Sequence, residues 1–324
     1  MFKKEKIMEI IRIILMILMW FLIIEFSCNF IMQTISYSFY KNAKKTDMVS
    51  YQPQFIQFND TLTGYGYNLD NLSDKVILFF GGSGYIAYNS VATYSGKFDC
   101  PFISADYYGT QDSKGKMKLE TMQKTAIEIY DWAQNEYPHS EIVIMGHSYG
   151  TGIATYLASV KETDSLVLAS GYRDISDLYN KMTPVFFGPL KIFISNNIKT
   201  SDYAKNVSCP VYIIGSNADT TLNISLQEKV SECFENSELK IFSGINHEDY
   251  FTNDNVTNYI KEKTSVWLQI RLFLSLFSQF YLISFNIYYA TFVISIAGCP
   301  RATDDTISVA FKLFCKIINC GFTP

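Results

Sequence analysis

Hydrophobic positions along this chain fall into three regimes. The first is near the start, in "KIMEIIRIILMILMWFLIIEFSCNFIM". The run carries no charge from Ile13 to Ile24 and continues past Glu25 to Met32. That length approaches the ~20 residues a helix needs to cross a bilayer. The second regime is a series of short runs rich in β-branched and aromatic residues: Val76–Phe80, Phe102–Ala105, Ile142–Met145, Leu166–Ala169, Val211–Ile214 and Leu239–Phe242. They are nearly continuous in apolar residues, as strands covered on both faces are. Between them, Leu119, Met122, Ala126, Ile129, Tyr130 and Ala133 recur at spacings of three and four, which predicts a helix with one apolar face. Ile153, Tyr156, Leu157 and Val160 mark another. Strands alternating with helices predict a mostly parallel central sheet with helices on both faces. The segments "FIQFND" and "GYGYN" predict a short antiparallel pair that opens the domain. Between Gly171 and Val207 the alternation lapses around Pro184, Gly188 and Pro189, which suggests a small cap at about 172–206.

The third regime is an apolar tail. Leu272 to Cys299 carries no charge and is long enough to span a membrane, but Ser275, Ser278, Gln279, Ser284 and Asn286 interrupt it. A second transmembrane segment and a buried or amphipathic tail helix both fit. The expected organisation is a cytoplasmic start and membrane anchor over 1–45, a catalytic domain over 46–268 and the apolar tail over 269–324. Lys3, Lys4 and Lys6 precede the first run and place the start of the chain in the cytoplasm. No small-x-small cleavage site follows, which favours an uncleaved anchor over a signal peptide. The chain is then single-pass or double-pass, with its catalytic domain on the extracytoplasmic side. If the second run spans, Arg301, Lys312 and Lys316 return to the inside.

Charge and cysteine content narrow the function classes. The 324 residues carry a formal net charge of -4, with no basic footprint for nucleic acid. The seven cysteines show no zinc-site spacing, and Cys315 and Cys320 stand too far apart for a C-x-x-C redox motif. No metal or cofactor is expected.

The chemistry concentrates in "EIVIMGHSYGTGIATYLAS". An apolar strand stops at Gly146-His147-Ser148-Tyr149-Gly150 and a helix begins at once. This is the pattern of a nucleophile elbow: the flanking glycines let strand and helix approach closely, and the Ser148 hydroxyl is pushed out above the sheet. A serine hydroxyl needs a base. Of the three histidines, His147 sits on the turn itself and reads as a packing residue. His139 lies in the polar turn "EYPHSE". His247, in "SGINHEDYF", follows the last strand and is the candidate general base. Asp219, in "CPVYIIGSNADTT", follows the strand before and is the candidate acid that would hold the imidazole. An oxyanion needs preorganised backbone donors. The Tyr149 N–H is one candidate, and the Ser83 N–H of "FFGGSGY" is the other. A phosphate-binding loop would need a Lys-Ser/Thr pair after these glycines, and none follows.

The middle of the chain, about residues 50 to 265, resembles the α/β-hydrolase superfamily in "VILFFGGSG", "SADYYGTQDSKGK", "EIVIMGHSYGTGIATYLAS", "CPVYIIGSNAD" and "GINHEDYF", and within it the membrane-associated Bem46-like branch. The resemblance implies a structural role for Asp106. It also departs from such relatives, which often carry His-Gly where this chain has Gly81-Gly82. Residues and resemblance together lead to the expectation of a membrane-anchored serine hydrolase of carboxylic ester or thioester bonds. Its substrate would be a small-molecule or lipid-derived acyl compound. The alternatives are a serine peptidase or transacylase of the same fold, or a non-catalytic binding protein that retains it.

Overall fold

The computed structural model describes residues 2–182, 184–194 and 196–265. The six apolar runs read from the sequence become β3 (Lys75–Phe80), β4 (Phe102–Ala105), β5 (Glu141–His147), β6 (Ser165–Ala169), β7 (Val211–Ser216) and β8 (Ser237–Phe242). The expected antiparallel pair is β1 (Gln54–Gln57) and β2 (Thr63–Tyr67). All eight join one sheet in the order β1-β2-β4-β3-β5-β6-β7-β8. β2 also pairs antiparallel with β4, and every pair from β4 to β8 is parallel. The fold is the α/β-hydrolase fold that the sequence led us to expect.

Both faces of this sheet are covered, and the side chains divide with a period of two. Val76, Leu78 and Phe80 of β3 and Ile142 and Ile144 of β5 enter one core. Ile77, Phe79, Val143 and Met145 enter the other. The first core is closed by α3 (Leu119–Glu136), α4 (Gly150–Val160) and α7 (Ile224–Ser231), the second by α2 (Ala87–Tyr94) and by a final helix, α8, over 254–265. β8 departs from the continuous apolar pattern. It is an edge strand, paired among the described residues only with β7, and its burial alternates between half-buried and exposed. Asp106, just past β4, accepts the Ala87 N–H at 2.8 Å through Oδ1 and so ties down the start of α2.

The segment between β6 and β7 is helical in short pieces: α5 (Ile175–Met182), a 3-10 turn at Gly188–Phe193, α6 (Thr200–Tyr203) and a further 3-10 turn at Ala204–Asn206. α6 lies against α4, with the Tyr203 and Tyr156 rings 5.3 Å apart in an edge-on contact.

α1 (Phe2–Asn42) is 41 residues long, about 60 Å at 1.5 Å per residue. It is long and apolar enough to cross a membrane. Its character changes along its length. Side chains such as Leu15, Ile17 and Trp20 are more than half exposed, and Phe30 and Ile31 still are. From Glu25 onward one face turns inward, with Glu25, Asn29, Met32 and Tyr40 buried. The expected apolar tail over 269–324, with its two readings, lies outside the described residues. Among the described residues Cys28, Cys100, Cys209 and Cys233 are free thiols.

Candidate active site

Ser148 sits between the end of β5 and the start of α4 with φ of +49°, a left-handed conformation that costs a non-glycine residue energy. The neighbours of the two glycines explain their spacing. A Cβ on Gly146 would lie 2.7 Å from the Thr151 Cα. A Cβ on Gly150 would lie 2.3 Å from the Phe80 carbonyl oxygen and 2.4 Å from that of Gly81. Backbone cannot yield to such contacts, so strand and helix meet only if both positions lack side chains. The Ser148 N–H donates to the Ala169 carbonyl at 2.9 Å, and Thr151 bonds back to the Ser148 carbonyl through both its N–H and its hydroxyl.

The loops after β7 and β8 are laced together at the same edge. The Gly244 N–H donates to Asn217 Oδ1 at 2.9 Å, and the Ile245 N–H donates to Ser216 Oγ at 3.1 Å. Ile245 is buried ahead of His247, and Tyr250 and Phe251 are buried after it. The loop is pinned on both sides, and the imidazole is left facing Ser148.

Three residues far apart in sequence meet here. His247 Nε2 lies 2.9 Å from Ser148 Oγ, and His247 Nδ1 lies 3.0 Å from Asp219 Oδ2. The Asp219 side chain is fully buried and that of His247 is 14% exposed. Asp219 Oδ1 accepts the N–H groups of Thr221 and Leu222 at 2.9 and 3.0 Å. Its Oδ2 accepts the hydroxyls of Ser170 at 2.5 Å and Tyr250 at 3.1 Å. Burial alone would raise the Asp219 pKa. The hydrogen bonds from His247, Ser170 and the Leu222 backbone, with the nearby imidazole charge, outweigh burial and hold it well below the usual carboxylate range. An ionised carboxylate only accepts, so Nδ1 carries the proton and Nε2 is free to accept the Ser148 hydroxyl proton.

Ser170 and Tyr250 escaped the sequence reading. Ser170 carried one usable signal, since it is the first residue past β6, at the same sheet edge as Ser148. It has φ of +53°, and its oxygen also stands 3.1 Å from His247 Nδ1. Tyr250, three residues past His247, had none. His147 differs from expectation in one respect. It is buried, but it does more than pack: its Nε2–H donates to the His247 carbonyl at 2.8 Å, and the two rings stand 5.1 Å apart. Burial, and then the nearby His247, lower its pKa to about 4. His139 is exposed.

Ser83 and Tyr149 both line the cavity that contains Ser148 and His247. Gly82, beside Ser83, faces the serine closely: a Cβ there would stand 3.2 Å from Ser148 Cβ and 3.5 Å from His147 Nδ1. Gly82→Ala should therefore shift the serine by a few tenths of an ångström without unfolding the chain. Up to about 10²-fold loss of kcat is expected, since small misplacements carry such costs. Steady-state kinetics beside a thermal melt checks this; unchanged kcat would mean the loop gives way freely.

Asp106 and His147 are buried titratable groups with opposite effects on stability. Burial raises Asp106 to about 7, against the Ala87 hydrogen bond and Lys45. Its contribution is complete below its unfolded pKa near 3.8 and is lost as pH rises through about 7. That of His147 is complete above 6.5 and is lost as pH falls through about 4. Between pH 4 and 6.5 the two offset each other, each by at most about 1.4 kcal/mol per pH unit. Measured as the Tm difference from wild type, Asp106→Asn should lose stability toward acid and His147→Gln toward neutrality. Parallel Tm curves for all three proteins would refute the offset.

Comparison with known proteins agrees with the fold. A family model described as alpha/beta hydrolase fold matches residues 79–183. The lysophosphatidylserine lipase ABHD12 of Xenopus tropicalis is 30% identical over 144 residues, which cover 40% of this chain and 37% of that protein. Protein ABHD12B of Homo sapiens is 28% identical over 156 residues, 42% of each. The chain thus spans well under half the length of the curated relatives it matches. Among solved structures, Est1E from Butyrivibrio proteoclasticus, with ferulic acid bound, superposes with a TM-score of 0.54 at 15% identity over 67% of this chain and 99% of that one. An esterase of Pyrococcus furiosus superposes with a TM-score of 0.52 at 18% identity over 70% and 97%. Sequence similarity and backbone similarity are separate observations, and here both lead to one place: the α/β-hydrolase fold.

Proposed function

We propose that the chain is a membrane-anchored serine hydrolase of carboxylic ester or thioester bonds. The observation that carries this is the relay at the sheet edge, with Ser148 Oγ 2.9 Å from His247 Nε2 and Nδ1 3.0 Å from Asp219. In this reading Ser148 Oγ attacks the acyl carbonyl carbon and passes its proton to Nε2, while Asp219 stabilises the imidazolium. The carbonyl oxygen becomes an oxyanion, for which the Tyr149 and Ser83 N–H groups are the proposed donors. Collapse expels the alcohol or thiol, which takes the proton from Nε2. Water then attacks the acyl-enzyme, gives its proton to Nε2, and the second collapse returns a proton to Ser148 Oγ.

A lipid-derived substrate fits the apolar length of α1, and relatives named lysophosphatidylserine lipases support it. α1 would hold the domain beside a bilayer, with its start in the cytoplasm and the domain outside. The test of function is an activity screen over p-nitrophenyl acyl esters of graded chain length with Ser148→Ala as control. Turnover by the wild type and none by the variant is expected; a folded wild type inert toward every ester and thioester would end the proposal. Sidedness is tested separately by protease protection in sealed vesicles. Cleavage of the domain only from the cytoplasmic side would reverse the proposed topology.

A further inference from the structure

The cavity at Ser148 has a volume of about 570 Å³, within the range of sites that take one small ligand. One of its walls is supplied by α1. Met32, Ile35, Ser36 and Phe39 line it, at the i, i+3, i+4, i+7 spacing that puts side chains on one face of a helix. Ile175, Leu178 and Tyr179 of α5 contribute another part of the lining. The inward face of α1 opens within the apolar run, with Glu25 and Asn29 buried, and continues into the cavity wall at Met32, while Phe30 and Ile31 beside it stay exposed. The wall occupies the next two turns, about 10 Å of helix.

α1 also touches the loop that carries a proposed oxyanion donor. The Tyr40 hydroxyl donates to the Gly82 carbonyl at 3.2 Å. A Cβ on Gly84 would stand 3.1 Å from both the Phe39 Cβ and the Phe39 carbonyl oxygen, so helix and loop are in backbone contact. Polar groups at the cavity, among them Asn89, Lys181 and Glu248, offer a polar end for a substrate whose chain lies on the apolar wall.

We infer that the anchor helix is itself part of the substrate site: Met32, Ile35 and Phe39 form the acyl-chain wall, and a single acyl chain reaches Ser148 along α1 from the bilayer. The inference rests on the hydrolase proposed above and assigns chain-length selection to the anchor helix. A membrane segment that only tethered the domain would present no side chains to the cavity. This one presents a face of four residues.

The experiment uses the full chain in phosphatidylcholine vesicles. Each methylene covered by the wall should be worth about fourfold in kcat/KM. Ile35→Trp fills the wall, so the ratio of decanoyl to acetyl ester kcat/KM should fall at least about tenfold relative to wild type. Phe39→Ala should move the preferred length upward. Ratios equal to wild type in both variants would overturn the assignment. A second arm needs neither catalysis nor an altered wall. In Ser148→Ala, a palmitic acid with a terminal diazirine is photolysed and the adducts mapped. Adducts on both the Ile35–Phe39 face and Leu178 are expected; adducts confined to residues before Met32 would overturn it. If wild type turns over no ester at all, the hydrolase proposal fails, and the photolabel still decides the wall.

Discussion

Ser148→Ala is expected to lower ester hydrolysis by about 10⁴- to 10⁶-fold and to abolish labelling by a fluorophosphonate probe. The variant removes one hydroxyl and, with it, the hydrogen bond to His247 Nε2. The bonds that hold the elbow use the Ser148 backbone: its N–H to Ala169, and its carbonyl to Thr151. Alanine keeps them and adopts the φ of +49° at much the same cost as serine. The thermal melt should therefore stay close to that of the wild type, which separates lost chemistry from lost fold. Ser148→Ala protein that still reacts with the probe would place the nucleophile elsewhere.

Asp219→Asn is expected to lower kcat by about 10³- to 10⁴-fold, with a KM that moves much less. The geometry dictates which way the amide turns. Oδ1 is held by two backbone N–H groups, those of Thr221 and Leu222. The asparagine oxygen must take that place, which leaves the NH₂ where Oδ2 now faces His247, Ser170 and Tyr250. An NH₂ only donates, so Nδ1 must accept and the imidazole proton moves to Nε2. Nε2–H then points at Ser148 and cannot receive its proton. Two hydroxyls also lose their acceptor, so some stability should go as well. A variant within tenfold of wild-type kcat would show that the carboxylate does not set the imidazole tautomer.

Much of the frame was legible in the sequence because its signals are local. Each central strand is buried on both faces, so Val76–Phe80 and Ile142–Met145 show as unbroken apolar runs, and the first turn of α4 is announced by two glycines that leave no room for a Cβ. The edge strand β8 shows the limit of that logic: "SELKIF" is half exposed, and only its Leu239–Phe242 portion stood out. Within the site, Ser148, Asp219 and His247 could be named because each follows a strand, in an order that puts all three at the carboxyl edge of a parallel sheet. Ser170 and Tyr250 could not be ranked among many other hydroxyls, since their importance comes from one carboxylate oxygen that both reach.

The sequence by itself determined the alternation of strands and helices, the elbow and the apolar character of α1, because periodicity and glycine sterics act within a few residues of chain. Only the tertiary structure decided that five donors converge on Asp219, that His147 holds the His247 carbonyl, and that α1 ends as a wall of the cavity at Ser148. Apart from the two local N–H groups of Thr221 and Leu222, the hydrogen bonds among these join positions 28 to 100 residues apart, and α1 lies further still from Ser148 in sequence. Which pairs meet depends on the path of loops pinned by buried side chains, and no local pattern encodes that path.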